Sequence, residues 1–337
     1  MTSSVLFHVA LPTHVYERES FDPDSLRQFV TSAEKLGFCG LWVVDHLARP
    51  YGSSLVGKKA TWLEPLTALS YVASLTRRPR LGTAVLVLPL RNPVITAKTI
   101  AALDVLSGGR VTLGISAGYS PKEFEACGVP LQQRGEILDE YAEVVGRLLA
   151  EPLVSYSGKF VQFSDLSIEP RPIQRPRPPI WFGGGVQHPL RKAYSDKALE
   201  KALRRIAKLG EGHITPSWLI PHNDTRFLQK SWEQLARYAM EFGRDPSEIS
   251  RAHFEWFLIA REKDEAIRHG KAEVARSSVL PFEELRKYWL IGTPGEIAEC
   301  LRARVKAGIQ HLIMGPLAGQ IDQIEMLANE VVPAVVK

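Results

Sequence analysis

Leu81-Gly82-Thr83-Ala84-Val85-Leu86-Val87-Leu88-Pro89-Leu90-Arg91-Asn92-Pro93 decides the fold. Its first eight residues are apolar almost throughout and rich in branched side chains, the pattern of a strand buried on both faces. Asn92 before Pro93 marks the cap of a following helix. A buried strand running at once into a helix is the βα unit of a parallel sheet.

The same unit recurs outward in both directions. Strands are expected at Val5–Leu11, Gly40–Val44, Arg80–Leu88, Val111–Ala117, Pro179–Phe182, His213–Pro216, Ala252–Ala260 and Ile309–Met314, with helically spaced apolar residues between them. Ser120-Pro121-Lys122-Glu123, Asp245-Pro246-Ser247-Glu248 and Thr293-Pro294-Gly295-Glu296 each read as a helix start, with an oxygen-bearing cap, a proline and a Glu placed to cap back. Ser107-Gly108-Gly109-Arg110 reads as a helix-ending turn. Parallel strands require right-handed crossovers, and eight units suit a closed (β/α)₈ TIM barrel better than an open sheet.

The 337 residues accommodate this as one domain spanning 1–337. Strand starts lie 31 to 40 residues apart except before the fifth and eighth strands, where the intervals are 68 and 57. Two insertions follow from that. Residues 151–178, after the fourth helix, hold a hairpin-like Leu153–Phe163 and then prolines 170, 172, 176 and 178, with Pro179 beyond, so they form a rigid excursion. Residues 261–292, after strand seven, leave from the end of the barrel where active sites lie, and a lid is expected there.

Composition narrows the partners. Lys and Arg total 42 against 37 Asp and Glu, a net charge of +5 spread thinly, which argues against nucleic acid and for an anionic small molecule. Arg171, Arg175, Arg177, Arg191 and Lys192 are the densest basic group and flank the Gly183-Gly184-Gly185 turn. The longest apolar stretches, such as Ala84–Leu90, fall far short of the roughly 18 residues of a membrane span. Three widely spaced cysteines make no disulfide framework or zinc pattern, and a cytoplasmic home is expected.

Side chains just past the strand C-termini meet over a barrel mouth. Asp45-His46 ends strand two, and a histidine there can act as general acid or base; Asp45 alone could equally cap a turn. Gly82 implies a bulge or a close backbone approach. Gly118 and Tyr119 end strand four, where small residues leave room for a flat ring. Gly183, Gly184 and Gly185 end strand five, where freed N–H groups and a helix N-terminus suit a phosphate. Trp42, Tyr51, Trp62, Tyr119, Tyr288 and Trp289 are candidates for an apolar pocket. No serine or cysteine triad is visible. His8 and His14 are too far apart for a close His-x-His pair, so no metal is expected, although a metal-dependent hydrolase on a TIM barrel stays open.

The stretch 81–93, with Leu103-Asp104-Val105-Leu106-Ser107-Gly108-Gly109-Arg110, Leu113-Gly114-Ile115-Ser116-Ala117-Gly118-Tyr119, Phe124-Glu125-Ala126-Cys127-Gly128-Val129-Pro130, Pro178–Gly185 and Gly292-Thr293-Pro294, resembles the bacterial luciferase-like superfamily. The resemblance implies a (β/α)₈ barrel binding reduced FMN or the deazaflavin coenzyme F420. It implies a non-prolyl cis peptide at Ala84–Val85 behind the isoalloxazine ring, His46 as the active-site histidine, and Gly183, Gly184 and Gly185 on the phosphate side. Asp45, Gly118 and Tyr119 join them as candidate cofactor contacts. Tyr119 stands where sugar-phosphate dehydrogenases of the deazaflavin branch carry a glutamate acid, and Gly210-Glu211-Gly212 replaces a usual Gly-Asp-Gly. Both are departures from the family pattern.

The function this implies is an FMN-dependent monooxygenase using O₂ on an apolar or aromatic small molecule. The alternatives are F420-dependent hydride transfer and flavin binding without turnover. The family's habit implies a homodimer through helices near Glu64–Leu75 and Pro93–Leu106, with Leu66, Leu69 and Ala73 as a possible apolar stripe.

Overall fold

In the computed structural model, which describes residues 5–16, 20–47, 60–186, 195–222 and 224–336, the eight expected strands close into a parallel barrel. They are β1 (Leu6–Ala10), β2 (Gly40–Val43), β3 (Arg80–Thr83, resuming at Leu86–Val87), β4 (Val111–Ser116), β5 (Ile180–Gly183), β6 (Gly212–Pro216), β7 (Ser250–Ile259) and β8 (His311–Pro316). Each pairs in parallel with the next, and β8 closes onto β1. The break in β3 falls at Ala84–Val85, whose peptide is cis, as the resemblance implies.

The barrel interior is plugged by a cluster of its own: Ala10, Trp42, Trp181, Ile214, Ala252, Phe254 and Ile313. The rings of Trp42 and Trp181 lie 5.3 Å apart at its centre. Gly82 serves a close approach and not a bulge, because a Cβ there would enter the Trp42 ring; a Cβ at Gly212 would enter that of Trp181. A second, larger core fills the space between strands and helices. Side chains alternating inward and outward along each strand feed both.

The 151–178 excursion contains the antiparallel hairpin Val154–Ser157 and Gln162–Leu166. A ribbon of His14–Tyr16 with Ala60–Trp62, unmarked in the sequence pattern, arches over the mouth side. Within 261–292 lie the helices Lys263–Ser277 and Phe282–Leu285 and the strand Leu290–Gly292, which extends the sheet at the far end of β7. Thr293 and Glu296 form the expected capping box. Asp245 caps only a single 3₁₀ turn, and the Ser120 side chain makes no cap bond, so two of the three helix starts differ from expectation. No helix among the described residues is long and apolar enough to cross a membrane.

Leu66, Leu69 and Ala73 do not supply an outward stripe. All three are buried against the chain's own sheet, which uses up the apolar face of Pro65–Leu75. The large apolar residues exposed on this and the neighbouring helix Pro93–Ser107 are Tyr71, Ile95, Val105 and Leu106. A homodimer through that face is the proposal, expected to give twice the 37.6 kDa chain mass in light scattering at micromolar concentration. A monomeric mass would exclude it.

Buried histidines make the fold acid-sensitive. His8 and His311 stack at the barrel plug, with their Nε2 and Nδ1 3.0 Å apart, and His213 sits behind the Gly184 carbonyl. Burial, joined by Arg80 in the case of His311 and outweighing the Gly184 bond in the case of His213, brings both down to about 4. Burial and then His311 also lower His8. Groups whose folded pKa is depressed bind protons more readily when unfolded. Their contribution is therefore complete above about pH 6.5, the ordinary histidine value, and is lost as pH falls toward 4. Urea-unfolding midpoints are expected to fall over this window, each histidine adding up to about 1.4 kcal/mol per pH unit. A flat profile between pH 6.5 and 4.5 would contradict it.

Candidate active site

Over the C-terminal ends of the strands lies a cavity of about 510 Å³. Asp45, His46, Ala84, Val85, Gly118, Tyr119, Gly183, Gly184 and Gly185 all border it, so the barrel brings every candidate site residue to one place. Their roles within it differ.

His46 is held edge-on between aromatic rings, 4.8 Å from that of Trp62 and 6.3 Å from that of Tyr119. Its Nδ1 is 3.8 Å from Glu123 Oε1. Asp45 turns its carboxylate away from the space. Its Oδ2 accepts from the Val87 N–H at 2.8 Å and from Arg91 at 2.6 Å, while Oδ1 accepts from the other Arg91 nitrogen at 2.9 Å. A fully buried, bidentate carboxylate of this kind fixes β3 just past its break. This contact gives the Asp45 carboxylate a structural use other than the turn cap that the sequence allows.

The glycine turn is tied down from behind. Gly184 donates its N–H to Ile214 in the sheet ladder, and its carbonyl accepts from His213 Nε2 at 2.6 Å. The Gly185 carbonyl accepts from the Ser231 hydroxyl at 2.6 Å. Gly184 has φ +104° and Gly185 φ +68°, conformations that side chains rarely adopt. The Gly184 N–H is thus spent, which corrects the expectation that all three glycines offer amides to a phosphate.

The basic groups at this end come from elsewhere. Arg134 and Lys201 border the cavity beside the turn, with Arg205, which is paired to Asp139. They sit on the helices Arg134–Ala150 and Asp196–Leu209. Arg171 and Arg177 instead tie off structure at the opposite end of the barrel. Arg171 donates to the Leu148, Leu149 and Glu151 carbonyls at the close of a helix, and Arg177 pairs with Glu211. Arg175 bonds the Pro172 carbonyl. Arg191, Lys192 and Tyr51 lie outside the described residues.

The other end is aromatic. Trp62, Tyr119 and Trp289 border the cavity as the sequence suggests, joined by Trp218, Trp256 and Phe254, while Trp42 belongs to the plug and Tyr288 is buried outside the cavity. Ser277, Ser278, Leu280, Leu285 and Trp289 bring the 261–292 segment into its wall. Among the described residues no group of three or more His, Cys, Asp or Glu is arranged to hold a metal.

A flavin or deazaflavin fits this partition. Ala84 and Val85 give a short apolar floor, and a Cβ at Gly184 would meet nothing within 4 Å, whereas Gly118 is needed for close packing on Val87 and Phe124. Arg134, Lys201 and Arg205 are cations on the cavity wall that could hold a phosphate.

A family model described as luciferase-like monooxygenase matches residues 1–278. An F420-dependent glucose-6-phosphate dehydrogenase of Kineococcus radiotolerans is 28% identical over 328 residues, 94% of this chain and 94% of that protein. An FMNH(2)-dependent dimethylsulfone monooxygenase of Pseudomonas putida is 25% identical over 346 residues, 95% of this chain and 90% of that protein. An F420-dependent secondary alcohol dehydrogenase, solved with an F420–acetone adduct, superposes with a TM-score of 0.77 at 19% identity, covering 98% of this chain and 99% of that one. Monooxygenase RslO1 from Streptomyces bottropensis also gives 0.77, at 23% identity over 97% and 99%.

Proposed function

The chain belongs to the luciferase-like monooxygenase family, and from that premise we propose that it is an FMN-dependent monooxygenase acting on a neutral apolar or aromatic small molecule. The observation that carries this is the division of one cavity into an end with Arg134, Lys201 and Arg205, where Glu136 is paired to Lys159 and Arg205 to Asp139, and an aromatic end walled by Trp62, Trp218, Trp256 and Trp289. A phosphate-bearing cofactor suits the first. Among the described residues the second has no Lys or Arg on its wall, which suits a neutral substrate.

Bound reduced flavin would supply the electrons, to O₂ in the FMN mode or as hydride in the deazaflavin mode. The protein's part is binding, orientation and dryness. Ala84 and Val85 would support the ring, the glycine turn would leave room on the phosphate side, and the aromatic wall with Leu280 and Leu285 would keep water from the reacting atoms. The segment 261–292 is proposed to open and close over that wall. His46, in the cavity wall, is proposed to hold or move a proton.

The deazaflavin reading is favoured by the F420-dependent relatives above. Anaerobic titration of the apoprotein with reduced FMN and with reduced F420, followed by admission of O₂, separates the two. Tight binding of FMN with substrate-dependent O₂ uptake supports the proposal; F420 binding alone with no O₂ uptake replaces it. Binding without turnover of any neutral aromatic compound would favour a flavin-binding protein.

The charge partition makes a further prediction. The double variant Arg134→Gln/Lys201→Gln is expected to weaken FMN binding about tenfold or more in low salt and leave riboflavin binding within about twofold. Equal losses for both flavins would place the phosphate elsewhere.

A further inference from the structure

Two buried side chains grip the glycine turn after β5 from the side away from the cavity. His213 stands in β6 beside Ile214, which belongs to the barrel plug, and adjacent residues of a strand face opposite ways, so His213 points out toward the helices. Its Nε2 donates to the Gly184 carbonyl at 2.6 Å; a carbonyl only accepts, so that nitrogen carries the proton. Ser231, on the helix Arg226–Glu241, donates its hydroxyl to the next carbonyl, that of Gly185, also at 2.6 Å. Both side chains are buried. A Cβ on Gly185 would lie 3.0 to 3.1 Å from Leu203, Ile206 and His213 Nε2, so the turn is seated tightly against its anchors.

The Gly184 and Gly185 carbonyls belong to trans peptides, in which C=O and N–H point opposite ways. With both carbonyls drawn back toward the helix layer, the N–H groups of Gly185 and Val186 point away from it, to the side where Gly183, Gly184 and Gly185 border the cavity. Successive amides aimed at one space make a cradle for an anion. The Gly184 N–H, tied to Ile214, takes no part. From this geometry we propose that His213 and Ser231 are positioning residues that hold the Gly185 and Val186 amides ready as donors to the phosphate of the bound cofactor. Neither side chain touches the ligand; each acts through the peptide it bonds. The proposal rests on the reading of this cavity as a flavin or deazaflavin site, and the test separates the two.

Anaerobic titration with reduced FMN beside reduced riboflavin reads what the phosphate contributes, and reduced F420 beside its phosphate-free deazaflavin core serves the same end. His213→Leu and Ser231→Ala are each expected to weaken binding of the phosphorylated ligand about 5- to 10-fold and to leave the phosphate-free one within about twofold. His213→Gln keeps an N–H donor of similar reach and is expected to restore affinity to within about threefold of wild type. In ¹⁵N-labelled wild type, the Gly185 and Val186 amide protons are expected to move downfield with the phosphorylated ligand and to stay near their free positions with its phosphate-free counterpart. Amides that do not respond to the phosphate overturn the proposal even if no variant folds. Equal losses for both ligands in folded variants overturn it too, and so does a folded His213→Gln that binds no better than His213→Leu. Wild type that binds none of the four ligands overturns the reading of the cavity, and this proposal with it.

Discussion

Replacing His46 with alanine is expected to lower turnover by about 10²-fold or more while cofactor affinity stays within a few-fold. The imidazole borders the same cavity as Ala84 and Val85 and packs against Trp62 and Tyr119 at its aromatic end. Alanine removes the proton carrier and the face against which Trp62 packs, yet leaves the cationic end and the glycine turn untouched. Cofactor binding should therefore survive where chemistry does not. His46→Gln keeps a polar group of similar reach and is expected to recover little, because an amide does not exchange a proton near neutral pH. Stopped-flow turnover beside anaerobic cofactor titration gives both quantities. Unchanged turnover in His46→Ala would remove the residue from the mechanism, and a parallel loss of cofactor affinity would mean that it shapes the pocket.

The barrel is legible because its strands are buried on both faces and read as unbroken apolar runs such as Leu81–Leu88, bounded by turns whose residues have one purpose. The turn at Gly108, φ +72°, is of that kind. Four features are not legible, each for a physical reason. Arg134, Lys201 and Arg205 stand on two helices far apart in sequence, and nothing local distinguishes a cation at a cavity rim from one in solvent. The Arg171–Arg177 cluster is dense in sequence but spent on backbone carbonyls and Glu211. Glu123 obeys the same i+3 spacing as Glu296, and only packing decides that Glu296 completes a capping box while Glu123 approaches His46. Trp218 reaches the cavity from the 3₁₀ turn Ser217–Leu219 just after β6 and Trp256 from β7, and an isolated aromatic in or beside a strand pattern is more often core.

Arg304→Leu is expected to cost about 3–5 kcal/mol of stability, because it would strand a charge inside the protein. Behind β7, on the face opposite Phe254 and Trp256, Glu255 and Arg304 are wholly buried. Glu255 Oε2 lies 3.0 Å from Arg304 Nε and 3.0 Å from His253 Nε2, and Arg304 Nη1 donates to the His222 carbonyl at 2.6 Å. Burial pushes the Glu255 carboxyl up, but Arg304 and then His253 outweigh it and hold it below its ordinary value. A depressed carboxylate contributes its stability above the unfolded value of about 4.3 and loses it as pH falls through the folded one. Leucine in place of Arg304 fills comparable space without the counter-charge. The double variant Glu255→Leu/Arg304→Leu removes both charges and is expected to recover most of the loss, since a buried pair is often no better than apolar packing. Urea unfolding of wild type, single and double variants at pH 7 measures it. Equal destabilisation in the single and double variants would show that the loss comes from packing between β7 and the helix Pro294–Lys306, and not from an uncompensated carboxylate.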